Sequence, residues 1–401
     1  MQAYNKLQRV KAKLKSFNFL YNLNARYKEF LLHRSFSRLS KEYNLSTEPE
    51  LELLSKKLQA KVKKREIVNR RLKVLWVGKC YEQDYSGFIQ ALSKFVDLVI
   101  FSQENGDYGQ EDAIHRRTLI CERERFANGE RLNHLYNEHG GADSIDLVIG
   151  QMWSNIINPD VLFAIREAGT IVVNIAMDDK LPIHWKSDSN GRLAGAIGLG
   201  QCVDLTLNTF KQAVPMYAQH NAPCIYWPLA SNGDVFKPQE EKEYDVVFIG
   251  SNYGYRSKVI EQIKRAGINV SAFGPGFPSG MVSAQDSADI FGKARIVLGM
   301  GYISYSRKLS TLKLRDFDAL FTGAMYITSR NSDLEELFED GKHIVYYDTI
   351  EELIDKLKFY LENDPLCKKI VTNALLEAKM NHTWEKRIKE TFTFIGFDTN
   401  A

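Results

Sequence analysis

From residue 72 onward the chain alternates short apolar runs with segments of helical spacing. "LKVLWVG" (72–78) is mostly apolar and ends in Gly78, and "SGFIQALSKF" behind it places apolar residues at helical intervals. Runs at 96–102, 145–151, 170–179, 203–209 and 222–230 follow, with a helix near "NPDVLFAIREAG". Apolar runs of this length are buried on both faces, and the helices between them supply crossovers, which predicts a parallel sheet. The alternation restarts at "YDVVFIGSNYGYR" (244–256) and continues through 268–276, 294–300, 324–330 and 342–348. Helices are predicted in "RSKVIEQIKRAG", "STLKLRDFDALF", "TIEELIDKLKFYLEND" and "WEKRIKETFTFIGF". Two doubly wound halves joined near 231–243 leave a cleft at their strand ends, where open parallel sheets bind ligands.

Residues 1–71 read differently. They carry helix-like spacing in "LQRVKAKLKSFNFLYNL" and "LELLSKKLQAKVKKREIVNRRL", broken near "NLSTEPE". The domains predicted are a basic helical extension (1–71), a first Rossmann-like domain (72–235), a second one (236–380) and a C-terminal helix (381–401) crossing back to the first. At 401 residues the chain is too long for one ordinary core. The net charge of +3 hides an asymmetry: residues 1–71 hold 18 Lys/Arg against 6 Glu, so the remainder sums to −9. The extension is therefore either a solvated helical hairpin packed on the body or a surface for anionic lipid, anionic glycan or a partner. Five cysteines, never spaced C-x-x-C, predict reduced thiols and argue against a zinc site. No run of 18 apolar residues and no signal-peptide pattern occurs, so a cytoplasmic protein is expected, at most peripheral at the inner face of a membrane.

One helix reverses the usual order of charges. With Ser310 as N-cap and Gly323 past its end, the spacing predicts a helix over 311–322, its apolar face made of Leu314, Phe317, Leu320 and Phe321. Thr311, Arg315, Asp318 and Thr322 form a polar stripe beside that face. Lys313 and Arg315 then fall where free backbone N–H groups and the helix dipole favour an anion. Either Arg315 and Asp318 form an exposed pair worth a few tenths of a kcal/mol, or a ligand's diphosphate sits on the two cations with Asp318 facing its ribose. Asp178 and Asp179, closing the apolar run of "AGTIVVNIAMDDK", are either loop acids bonded to nearby amides or cleft acids.

Residues 314–361, "LRDFDALFTGAMYITSRNSDLEELFEDGKHIVYYDTIEELIDKLKFYL", resemble the C-terminal signature of the CgeB-like (spore maturation protein B-like) glycosyltransferases, part of the GT-B class. Lys313, Arg315, Phe317, Asp318, Gly323, Glu335, Glu336, Phe338 and Gly341 carry the match. The family acid at 318 is usually Glu, and His343 stands where the pattern often has an acid. The likeness extends more weakly over 72–396. It implies an α/β GT-B fold, two Rossmann-like domains facing a cleft, and transfer of a sugar from a nucleotide-diphosphate sugar to an acceptor hydroxyl. It also implies that Lys313, Arg315, Arg256, Ser251 and Gly250 hold the donor diphosphate and Asp318 the ribose. Tyr302, Tyr305 and Arg307 would form a loop over the donor, and Gly274 and Gly276 a turn facing the base. Asp178 or Asp179 would deprotonate the acceptor or steady positive charge on the sugar. Lys79, His184 and Trp185 would line the acceptor side.

Asp316 and Asp318 spell D-x-D, but side chains two apart on a helix diverge by about 200° and cannot share an ion. The GT-B class instead neutralises the leaving diphosphate with cations and helix ends. No metal or cofactor is expected, and the partners expected are a nucleotide sugar and a glycan or protein acceptor. Nucleic acid is disfavoured by the acidic remainder of the chain. Two rivals stand beside this reading: a non-catalytic nucleotide- or glycan-binding scaffold, and a nucleotide-sugar epimerase on the same fold.

Overall fold

The structure, a computed structural model, describes residues 18–46, 50–65, 70–80, 84–109, 119–187, 191, 193–306 and 308–398. Its first sheet contains β1 (Leu72–Val77), β2 (Val96–Phe101), β3 (Leu147–Gly150), β4 (Ile171–Ala176), β5 (Leu205–Asn208) and β6 (Cys224–Tyr226), ordered β2-β1-β3-β4-β5-β6. The second contains β7 (Tyr244–Ile249), β8 (Val270–Phe273), β9 (Ala294–Gly299), β10 (Met325–Ser329) and β11 (Val345–Tyr347), ordered β11-β10-β9-β7-β8. Every pairing is parallel. Strand order reverses between β1 and β3 and between β7 and β9, the switch points where such sheets open crevices.

The longer helices are α1 (Asn18–Glu42), α2 (Leu51–Lys63), α3 (Leu119–Glu138), α4 (Pro159–Glu167), α5 (Ala213–Ala218), α6 (Arg256–Arg265), α7 (Ala284–Gly292), α8 (Arg315–Phe321), α9 (Ile350–Glu362), α10 (Asp364–Asn381) and α11 (Trp384–Ile395). They cover both faces of the sheets, so Val74, Leu75, Trp76 and Val77 of β1 are all fully buried. This is why the strands read as unbroken apolar runs.

Three of the longer helices, α3, α7 and α10, escaped the sequence pattern. In α10 the buried stripe is only Ile370, Ala374 and Ala378, flanked by exposed Leu376 and Met380. α7 begins with a capping box, Ser283 and Asp286, at the one clear start signal in that stretch.

The last helix joins the two halves. Trp384 packs against Phe88 and Trp227, with ring centroids 5.4 Å apart in both pairs. The backbone of Ser231 accepts from Trp384 N–H and donates to the His382 carbonyl, each at 3.0 Å.

Much of the extension's charge is used internally. Asp146 and Asp204, on the loops entering β3 and β5, receive Arg70 at 2.6 Å and Lys61 at 2.9 Å respectively. α1 touches both domains: Tyr43 Oη and His220 Nε2 are 2.8 Å apart, and His33 Nε2 and Ser306 Oγ are 2.9 Å apart. Among the described residues no helix is long and apolar enough to cross a membrane.

Candidate functional site

A cavity of about 470 Å³ opens at the β7/β9 switch point, beside the first domain. Gly250 and Ser251 follow β7, Arg256 begins α6, Gly274 follows β8, and Lys313, Arg315 and Asp318 come from the segment entering α8. Gly87 and Trp384 reach it from the other side of the junction, while Met281, Val282, Ser287 and Phe291 add a mostly apolar wall at α7.

The helix over 311–322 is shorter than its spacing predicts. It starts at Arg315 and ends at Phe321, and Ser310 is not its cap. Its N-cap, Leu314, makes no side-chain capping bond, and Asp316 reaches back to accept the Lys313 N–H at 2.7 Å. Lys313 therefore precedes the helix, and its side chain, not a first-turn amide, is what it offers the cavity. The polar stripe breaks accordingly: Thr322 is buried and its hydroxyl donates to the Ala319 carbonyl.

Three cations converge here without an ion pair. Among the described residues, Lys313, Arg256 and Arg315 form no salt bridge. Arg256 is 3% exposed and donates only to the carbonyls of Ser251 and Met300, each at 3.1 Å. Arg315 donates to the Ile249 carbonyl and lies over the Phe248 ring, 4.7 Å from its centroid. The Nε atoms of both arginines are buried and unpartnered. Close approach of Arg315 explains Gly250: a Cβ there would stand 2.4 Å from the guanidinium.

The charges perturb one another in the expected directions. Burial lowers Lys313 to about 8, opposed by Asp178 across the cleft and reinforced by Arg256 and Arg315. Burial and the neighbouring Arg315 lower Arg256 to about 10. Asp318, hydrogen-bonded by the Ser231 hydroxyl at 2.7 Å, is raised by burial to about 8. The two acids of the D-x-D diverge, since Asp316 instead accepts from Tyr326 Oη.

The structure parts the acid pair after β4. Asp178 does not line the cavity, though its charge acts on Lys313, whereas Asp179 is 1% exposed and accepts from Asn208 Nδ2 at 2.7 Å and Tyr217 Oη at 2.6 Å. Trp185 donates to the Asp179 carbonyl at 2.8 Å and packs edge-on against Tyr217. His184 is buried in the same cluster, so neither His184 nor Trp185 presents an acceptor surface. Lys79 is exposed at the end of β1 and is not part of the cavity wall.

The donor loop is placed differently as well. Tyr302 is 4% exposed and packs against Tyr255, and Tyr305 lies under Lys28 of α1. Gly276 sits behind Asn252, outside the cavity wall. Arg307 lies outside the described residues.

Sequence reasoning missed Ser231, Trp384, Gly87 and the α7 wall. The capping-box pattern of Ser283 and Asp286 was the available signal for α7; nothing local marks the others.

Residues 256–393 match the protein family described as "Glycosyl transferase-like". A comparison with curated proteins finds no match. Among solved structures, sucrose-phosphate synthase from Thermosynechococcus elongatus is similar over 81% of this chain and 98% of its own, at 11% identity and a TM-score of 0.56. Anabaena HepE, in complex with UDP and glucose, is similar over 81% of this chain and all of its own, at 10% identity and a TM-score of 0.54. A glycosyltransferase from Rickettsia africae gives 82% and 98% coverage, 10% identity and a TM-score of 0.54. At such identities the likeness is one of fold.

Proposed function

We propose that this chain, which has the GT-B fold and carries a glycosyl transferase-like second domain, moves a sugar from a nucleoside diphosphate to an acceptor hydroxyl. The observation that carries the reading is the trio Lys313, Arg256 and Arg315, none of them in a salt bridge among the described residues, with both arginines buried and each keeping an unpartnered Nε. An isolated buried cation is costly, so a trio is retained where a ligand supplies the opposite charge. The leaving diphosphate develops that charge as the anomeric carbon–oxygen bond breaks, and fixed cations stabilise it without reorganising. The diphosphate keeps the bonding pair while the acceptor oxygen bonds to the anomeric carbon. We assign receipt of the acceptor proton to Asp178, whose charge acts on Lys313. Asp318 binds the ribose diol, and the α7 wall holds the base. With three cations at the phosphates, the leaving group needs no metal.

The signature around Lys313 and Asp318 supports the CgeB-like group within this class, and a glycan or protein as acceptor in the cytoplasm. The test is a thermal-shift panel of nucleoside diphosphates and their sugars, followed by donor hydrolysis. One nucleotide near 100 times its Kd stabilises the protein by about 2.7 kcal/mol, and Lys313→Ala weakens its binding roughly 30-fold and removes hydrolysis. A scaffold binds the nucleotide without cleaving the donor. Failure of every nucleotide to stabilise the chain refutes the assignment.

A further inference from the structure

A second cavity, of about 500 Å³, opens where α1 crosses the gap between the domains. Glu29 reaches it from α1, Lys180 from the loop after β4, Ser310 and Lys308 from the loop after β9, and Arg330, Asn331 and Asp348 from the ends of β10 and β11. It shares no lining residue with the donor cavity but adjoins it along the chain. Lys180 lies two residues past Asp178 and Ser310 three before Lys313, so both stand within about 11 Å of that site along the chain.

Two buried groups on this wall lack partners. Ser310 and Asn331 are each 4% exposed, yet Ser310 Oγ and Asn331 Nδ2 make no hydrogen bond. Turning the amide over does not help Asn331. Its Oδ1 caps the short helix Ser332–Glu335 by accepting the Asp333 N–H at 3.2 Å, which leaves the amide nitrogen as the orphan. Native structures rarely leave such groups unpaired, and a ligand is one way to satisfy them.

The charges nearby point to the ligand's class. Lys180 is paired with Asp333 at 2.7 Å, and Arg330 with Asp348 at 3.1 Å and Asp340 at 3.3 Å. A polyanion would find most of this positive charge already matched. A neutral polyol finds an amide donor, a hydroxyl that both gives and accepts, and the carboxylates of Glu29 and Asp348. The volume is within the usual range for small-molecule pockets.

We infer that this cavity receives the acceptor, and that the acceptor end is an uncharged, hydroxyl-rich saccharide. The inference rests on the transferase reading above. It makes α1, clamped to both domains through Tyr43 and His33, a wall of the substrate site.

Saturation-transfer NMR on the full chain tests it, with methyl glycosides of glucose, galactose, mannose and N-acetylglucosamine as probes. The expected result is saturation transfer to at least one glycoside, falling at least fivefold in Ser310→Ala and in Asn331→Asp. The aspartate keeps the capping oxygen but exchanges the amide donor for a charged acceptor, so Ser310→Ala supplies the charge-neutral arm, and melting curves report whether each variant is folded. Lys313→Ala should leave the glycoside signal in place while nucleoside diphosphate binding weakens roughly 30-fold. No signal from any glycoside in the wild type, or an unchanged signal in Ser310→Ala, overturns the inference. The two readings fail separately, because nucleotides report on Lys313 and glycosides on Asn331.

Discussion

Replacing Lys313 by Met should make the empty protein more stable and disable it. Burial holds the Lys313 ammonium at about 8, against an ordinary 10.5. At 1.36 kcal/mol per unit, keeping the charge costs roughly 3 kcal/mol, or about 2 once its partial exposure to the cavity is discounted. Met retains the stem's bulk without the charge. In a chain of this size, 2 kcal/mol corresponds to a rise in Tm of about 2 °C. The sign can be checked against pH. Lys313 has a depressed folded pKa, so the unfolded chain binds more protons between about 8 and 10.5, and the wild type gains stability across that window. The advantage of Lys313→Met should therefore shrink above pH 8. Loss of one charge-assisted bond to phosphate, about 2 kcal/mol, weakens the best nucleoside diphosphate roughly 30-fold. Melting curves from pH 7 to 10, with and without that nucleotide, read all three effects. A variant that melts lower than the wild type at pH 7, or binds the nucleotide equally well, refutes the reasoning.

The same groups set a pH limit on binding. As pH rises through about 8, Lys313 loses its charge and Asp318 gains one, both against a phosphate, so nucleotide affinity should hold to pH 8 and then fall. Calorimetric titration from pH 6.5 to 9.5 checks this, and an affinity that increases above pH 8 contradicts it. The adjacent acids after β4 should separate cleanly. Asp179→Ala strands Tyr217 and Asn208 and costs about 2–4 kcal/mol of stability with nucleotide binding intact. Asp178→Ala should cost less, about 1 kcal/mol or below, through the lost attraction to Lys313, and lower sugar transfer by roughly 10²–10⁴. Equal losses of stability in the two variants would defeat that division.

The run of strands was legible in the chain because burial on both faces leaves contiguous apolar segments bounded by loops. The cluster from Lys313 to Asp318 was legible too, since its cations stand at the start of a helical stretch, where the dipole favours anions. What the linear pattern could not supply was the partner of each group. Asp178 and Asp179 are neighbours of one type, and only Asn208 on β5 and Tyr217 on α5 decide which of them turns inward. Ser231 matters because the chain end brings Asp318 to it from 87 residues away. Tyr302 lies in a loop that sequence places over the donor, yet packing beside Tyr255 commits its ring to the core. Periodicity reports burial, which is a property of one segment. Hydrogen bonding and charge pairing are properties of two, and the second segment is chosen by the fold.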